Sequence, residues 1–177
     1  MTLQIKHWVA GLIGISGMAL GALVPGGPIE TRSFAHINPL TLGVFNTFLT
    51  TLVIGSLPLI YFVLRSKRWA MITATGFGVS YLGVYGLDLV KLFPVSPDAM
   101  PPALLAIEVL GAILSLPLIT LSVQAFQELN QPALAATPLP ASGPAPMAQT
   151  QQFVSVVGLG LVAIGIIAFA TRSAMGL

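Results

Sequence analysis

The chain has 177 residues, 55% of them hydrophobic and only 7% charged, and its mean hydropathy is +0.94; soluble domains carry about 25% charge, so a soluble globular fold is not expected. Seven basic and five acidic side chains leave a net charge of +2, too sparse for a nucleic-acid-binding surface. The lack of cysteine removes disulfides, thiolate nucleophiles, iron-sulfur clusters and cysteine-held zinc.

A bilayer core of about 30 Å takes roughly 20 apolar helical residues, and five stretches approach that length. The first covers about 8–24, entered through Lys6-His7-Trp8 and closed by Pro25-Gly26-Gly27-Pro28. A short basic start before an apolar core also resembles a secretory signal; a retained span is expected instead. The second, 39–64, has Asn38 placed to cap it and Pro39 in its first turn, and it stops at Arg65-Ser66-Lys67-Arg68. Trp69 opens the third, 69–90. The fourth, 101–124, begins at Pro101-Pro102 and fades toward Glu128.

Residues 129–151 change character, with Pro132, Pro138, Pro140, Pro144 and Pro146 among Ala, Ser and Gln. Such composition predicts a flexible linker. Beyond it, 152–177 carries a C-terminal transmembrane helix centred on Phe153 to Ala170. The predicted fold is all-α: an integral membrane helical bundle of five transmembrane helices, four forming one unit over 1–128 and the fifth tethered.

Basic residues in short connections set orientation. The connection 65–69 holds three of the seven, which places it and the N-terminus with Lys6 in the cytoplasm and the C-terminus on the opposite side. The division is narrow: Lys6, Arg65, Lys67 and Arg68 inside, Arg32, Lys91 and Arg172 outside.

Glu108 stands out, since seven residues after Pro101 put it about 10 Å inside the fourth helix. A carboxyl at that depth is costly and should face the bundle, a partner or a wet cavity. It is a candidate proton relay or ligand group; the plain alternative is a neutral acid bonded to a neighbouring helix. Asn46, seven residues after Pro39, should lie at similar depth and could hydrogen-bond Glu108 if the second and fourth helices touch. His7 and His36 flank the first span. Each is an interfacial or loop side chain that could serve only as a single axial ligand, because a membrane's thickness separates them. Tyr81, Tyr85, Asp88 and Lys91 follow helical spacing toward the outer end of the third span, where an interfacial aromatic belt and a local Asp88–Lys91 pair account for them. Glu30 and Arg32 should pair as a surface contact. Asp88 and Glu108 are the nearest carboxyls to each other, but their expected depths differ.

Gly11, Gly14, Gly17 and Gly21, then Gly78, Gly83 and Gly86, then Gly158, Gly160 and Gly165 mark close helix packing. The stretch Lys91-Leu92-Phe93-Pro94-Val95-Ser96-Pro97 is distinctive without implying a chemistry.

No metal set, phosphate loop or nucleophile-base pair is present, so an enzyme is not expected, and no cofactor is indicated. The expected function is a non-catalytic accessory or stabilising subunit, packed in the lipid bilayer with other membrane subunits or with copies of itself. The first alternative is a small proton-coupled transporter using Glu108. The second is a pigment- or quinone-contacting subunit of an energy-converting complex.

Overall fold

The computed structural model describes residues 3–25, 27–131 and 165–175. Among these, the regular structure is helical. Four helices, α1 (Leu3–Ala22), α2 (Pro39–Leu64), α3 (Arg68–Leu89) and α4 (Pro102–Asn130), are each long and apolar enough to cross a membrane. A shorter helical segment covers 165–174. The rest of the predicted fifth helix, and residues 132–151 of the predicted linker, lie outside the described residues.

Local chemistry fixes the ends. Asn38 Oδ1 accepts from the Leu40 amide at 2.9 Å, the expected cap over a proline first turn. α4 runs past 124 to Asn130 because Gln124 to Glu128 are good helix formers, Ala125 is fully buried, and Phe126 and Leu129 pack on the core. The Arg68 guanidinium donates to the Asn130 side chain, fastening that end to the start of α3. α1 likewise starts at Leu3, ahead of the expected position 8, so Lys6 and His7 are helical.

α1 and α3 each pack against both α2 and α4 and touch one another, which leaves α2 and α4 at opposite corners without contact. The inner faces follow steps of three and four residues: Gly78, Tyr81, Tyr85 and Asp88 on α3, and Leu104, Glu108, Gly111, Ser115, Leu118 and Ser122 on α4. Large apolar side chains such as Met18, Leu40 and Ile113 point outward. Bulky apolar side chains thus lie outside as well as in the core, where Leu, Ile, Val and Met are joined by small and polar groups, and small residues at contacts let helices approach closely.

The glycines behave accordingly at some positions. A Cβ at Gly17 would lie 2.6 Å from Ser56 Oγ, and those at Gly14 and Gly21 would meet Ile60 and Val53, all on α2. Gly78 backs onto Ile119 and Leu118 of α4. By contrast Gly11, Gly83, Gly86 and Gly165 face open space; Gly158 and Gly160 lie outside the described residues.

At the end of the bundle where α1 and α3 finish, called the far end below, the two loops are stitched together. The Ser33 amide donates to Asp98 Oδ2 at 2.7 Å and Ser96 Oγ donates to the Ser33 carbonyl at 3.0 Å. Within the distinctive 91–97 stretch, Phe93 meets Phe45 of α2 edge to face at 4.9 Å. The segment 165–174 docks here as well: the Phe34 amide donates to the Ala174 carbonyl at 2.8 Å, and Phe34, Leu42 and Ala174 form a small apolar cluster.

Candidate functional site

Arg32, in the loop between α1 and α2, is buried at 7% exposure and grips two carboxylates. Its Nε and Nη2 donate to Glu30 Oε1 and Oε2 at 2.9 and 2.6 Å, and its Nη1 and Nη2 donate to Asp88 Oδ1 and Oδ2 at 2.9 and 2.6 Å. Forked pairs of this kind are the strongest that side chains make. Burial alone would lower the affinity of Arg32 for its proton, but the hydrogen bonds and charges of Asp88 and Glu30 outweigh it and hold the guanidinium above the ordinary arginine range. A cation whose folded value is raised stabilises the fold at every pH below its unfolded value. On the arginine side, alkaline pH therefore does not open the clasp below the point at which free arginine loses its proton.

Two sequence expectations need correcting. The Glu30–Arg32 pair is no surface contact, because Asp88 and Phe34 close over it; the Arg32 guanidinium carbon lies 5.3 Å from the centre of the Phe34 ring. Asp88 pairs with Arg32 and not with Lys91. α3 ends at Leu89, and Lys91 has turned into the left-handed region at φ 56°, which destroys the three-residue helical spacing a local pair requires.

A third correction concerns Asp88 and Glu108, whose side chains share the wall of one small cavity. Helical side chains lean toward the N-terminus of their own helix. α3 runs toward the far end and α4 away from it, so Asp88 leans inward and Glu108 outward until they meet. Glu108 is 2% exposed. As a carboxylic acid it can donate to Asp88; as a carboxylate its buried Oε2 has no donor facing it. The hydroxyl of Tyr85, also buried, has no partner either.

These groups line a cavity of about 40 Å³ with Asn46 and Glu30 in its wall, room for a water or an ammonium-sized head. It has neighbours on two sides. Toward the far end, Asp88 and Pro94 also line an outer cavity of about 270 Å³ with Arg32, Lys91 and Asp98. Sideways, Leu20, Leu23, Pro25, Asn46 and Leu49 are shared with an apolar cavity of about 190 Å³, closed by Ile166, Phe169 and Ala170 of the C-terminal segment.

Residues 5–137 match a sequence family described as a domain of unknown function, DUF8051. The chain belongs to the DUF8051 family. No curated protein and no solved structure matches it. The DUF8051 stretch contains Glu30, Arg32, Asn46, Tyr85, Asp88 and Glu108; the C-terminal segment that closes the apolar cavity lies beyond it.

Among the residues singled out from the DUF8051 sequence, Glu108, Asn46, Tyr85 and Asp88 converge on the small cavity. Asn46 does not bond Glu108, since α2 and α4 stand apart; its Nδ2 donates to Thr171 Oγ1 at 3.2 Å. Tyr81 and Tyr85 are buried at 0% and 1% exposure, not set in an interfacial belt, because their stripe is the inner face of α3. Tyr81 donates to the Leu52 carbonyl at 3.3 Å. His7, His36 and Lys91 are exposed, at the rim and away from the cavity. Arg32 and Gly111 were missed as site residues; the first sits in a loop that gives no periodicity to read, and the second shows its role only once Tyr85 lies against it.

The Asn46–Thr171 bond carries a prediction. Thr171→Val removes the acceptor and leaves a buried amide unsatisfied, lowering stability by about 0.6–2 kcal/mol, whereas Thr171→Ser keeps the oxygen and the stability. Thermal midpoints of the two variants in detergent decide it; equal midpoints would mean the bond holds nothing.

Proposed function

We propose that this DUF8051 protein is an integral membrane carrier that exchanges a proton for a cation at Glu108. One observation carries it: the buried Glu108 carboxyl has an oxygen with no donor beside it, it shares its cavity wall with a second acid, Asp88, and the space next to it is a cavity instead of a basic side chain. An unpaired buried carboxylate costs several kcal/mol. Losing the proton therefore calls a cation into the cavity, and the returning proton expels it. In balance, the Glu108 O–H bond breaks, its proton passes to water, and the cation takes its place; no electron moves.

Insertion in a bilayer is supported by four helices of spanning length with bulky apolar side chains directed outward. The cluster at residues 65–68 favours a cytoplasmic position for that turn, which puts the outer cavity on the other side. The accessory-subunit expectation drew in part on glycine faces, of which Gly14, Gly17, Gly21 and Gly78 are occupied by the chain's own helices while Gly11, Gly83 and Gly86 face open space.

The test is flux. In liposomes holding the purified protein, inward gradients of sodium, potassium and a small organic ammonium are each imposed, and proton release is followed with a pH dye. At least one gradient should drive release, and Glu108→Gln should reduce it about a hundredfold or more, the scale on which a lost proton-transfer group acts. Gln retains a donor for Asp88, so its thermal midpoint should stay near that of the wild type. Release no faster than from empty liposomes, or undiminished in Glu108→Gln, overturns the proposal.

A further inference from the structure

We infer that the small cavity and the apolar cavity beside it form one binding site, and that its ligand is a primary ammonium ion carrying a benzene-sized apolar body. This rests on the exchange reading of Glu108 and names the class of cation. The sign of charge comes from the wall. The ionisable groups lining the small cavity besides Tyr85 are Glu30, Asp88 and Glu108. Arg32 lies on the outer side, its guanidinium already committed to Glu30 and Asp88.

The head group follows from the acceptors. An ammonium presents three N–H donors. Among the residues of the wall, Glu108 Oε2 and the Tyr85 hydroxyl are buried and unpartnered, and the Asn46 amide nitrogen is engaged by Thr171, leaving its Oδ1 to accept. Three donors thus meet three acceptors. A trimethylammonium head brings none of those donors and more bulk than about 40 Å³ admits. A bare metal ion is disfavoured for a different reason: of the three acids in this wall, Glu30 and Asp88 are committed to Arg32, and among the described residues no three acidic or histidine side chains are placed to hold one ion.

The body follows from the second cavity. Its volume is about 190 Å³ and its lining is chiefly Leu20, Leu49, Val53, Ile166 and Phe169. An apolar protein cavity of about 150 Å³ accepts benzene. Because Asn46 and Leu49 belong to both walls, a ring in the larger space sets its amino group in the smaller one. Benzylammonium has this shape.

The experiment is binding of benzylammonium to the full chain in detergent, with toluene, benzyltrimethylammonium and sodium as comparisons. Titration calorimetry should show saturable benzylammonium binding accompanied by release of about one proton per site into weak buffer. Glu108→Gln and the trimethyl compound should each weaken binding about tenfold or more, as expected when a buried charge pair or its hydrogen bonds are lost. The proton count needs no variant, so a poorly folded mutant does not protect the inference. Undetectable benzylammonium binding, equal binding of the trimethyl compound, or binding without proton release overturns it. If sodium still drives proton flux while benzylammonium does not bind, the exchange at Glu108 stands and the ligand class is wrong; if neither occurs, both fall.

Discussion

Arg32→Ala should lower the stability of the detergent-solubilised chain by about 3–5 kcal/mol, the usual cost of removing one partner from a buried ion pair. The magnitude follows from what remains. Glu30 and Asp88 are 4% and 7% exposed, and without the guanidinium they share a wall with Glu108 and no positive charge. Arg32→Lys should lie between, since a single ammonium keeps the charge but loses the fork that meets two carboxylates at once. Adding Glu30→Gln to Arg32→Ala should recover part of the loss by removing one orphaned charge. The measurement is the thermal midpoint or the denaturant needed for half unfolding. A loss below about 1 kcal/mol, the value for exposed pairs, would mean that water reaches the clasp.

That contrast separates what the sequence discloses from what it conceals. Helices of membrane-spanning length are legible because such a helix is written locally: apolar length, a capping Asn38, prolines in first turns and basic stops all sit within a few residues of the structure they specify. α2 keeps its expected limits, and α4 overruns its expected end because hydropathy falls off before helical hydrogen bonding does. The candidate site is written non-locally. Arg32 and Asp88 are 56 positions apart, and nothing in either neighbourhood announces the other; the nearer partner, Lys91, is removed because α3 stops at Leu89, two residues before it. One signal was available. Gly78, Tyr81, Tyr85 and Asp88 lie on one stripe of α3, and the most polar stripe of a membrane helix turns inward. Reading Tyr81 and Tyr85 as an interfacial belt overlooked that the stripe continues to glycine in the middle of the span.

The same stripe sets up the second large effect. A Cβ at Gly111 would fall on the ring of Tyr85, closer than side chains pack, and Tyr85 cannot retreat because it is itself buried at 1% exposure. Gly111→Ala should therefore cost about 1–3 kcal/mol, the range for an overfilled core, although alanine is the better helix former by about 1 kcal/mol. Gly83→Ala makes the identical chemical change where nothing lies within 4 Å, so there the propensity gain should stand alone and the midpoint should rise. The two variants thus have opposite signs for a reason that only packing supplies. A functional consequence attaches to the first: a displaced Tyr85 ring presses on the cavity it lines with Glu108, so Gly111→Ala should also reduce proton exchange, and Gly83→Ala should not. Joining Tyr85→Leu to Gly111→Ala frees the space and should return most of the stability but not the exchange, since the hydroxyl is gone. If Gly111→Ala is as stable as the wild type, α3 and α4 stand further apart than described, and the Asp88–Glu108 contact that depends on their closeness goes with it.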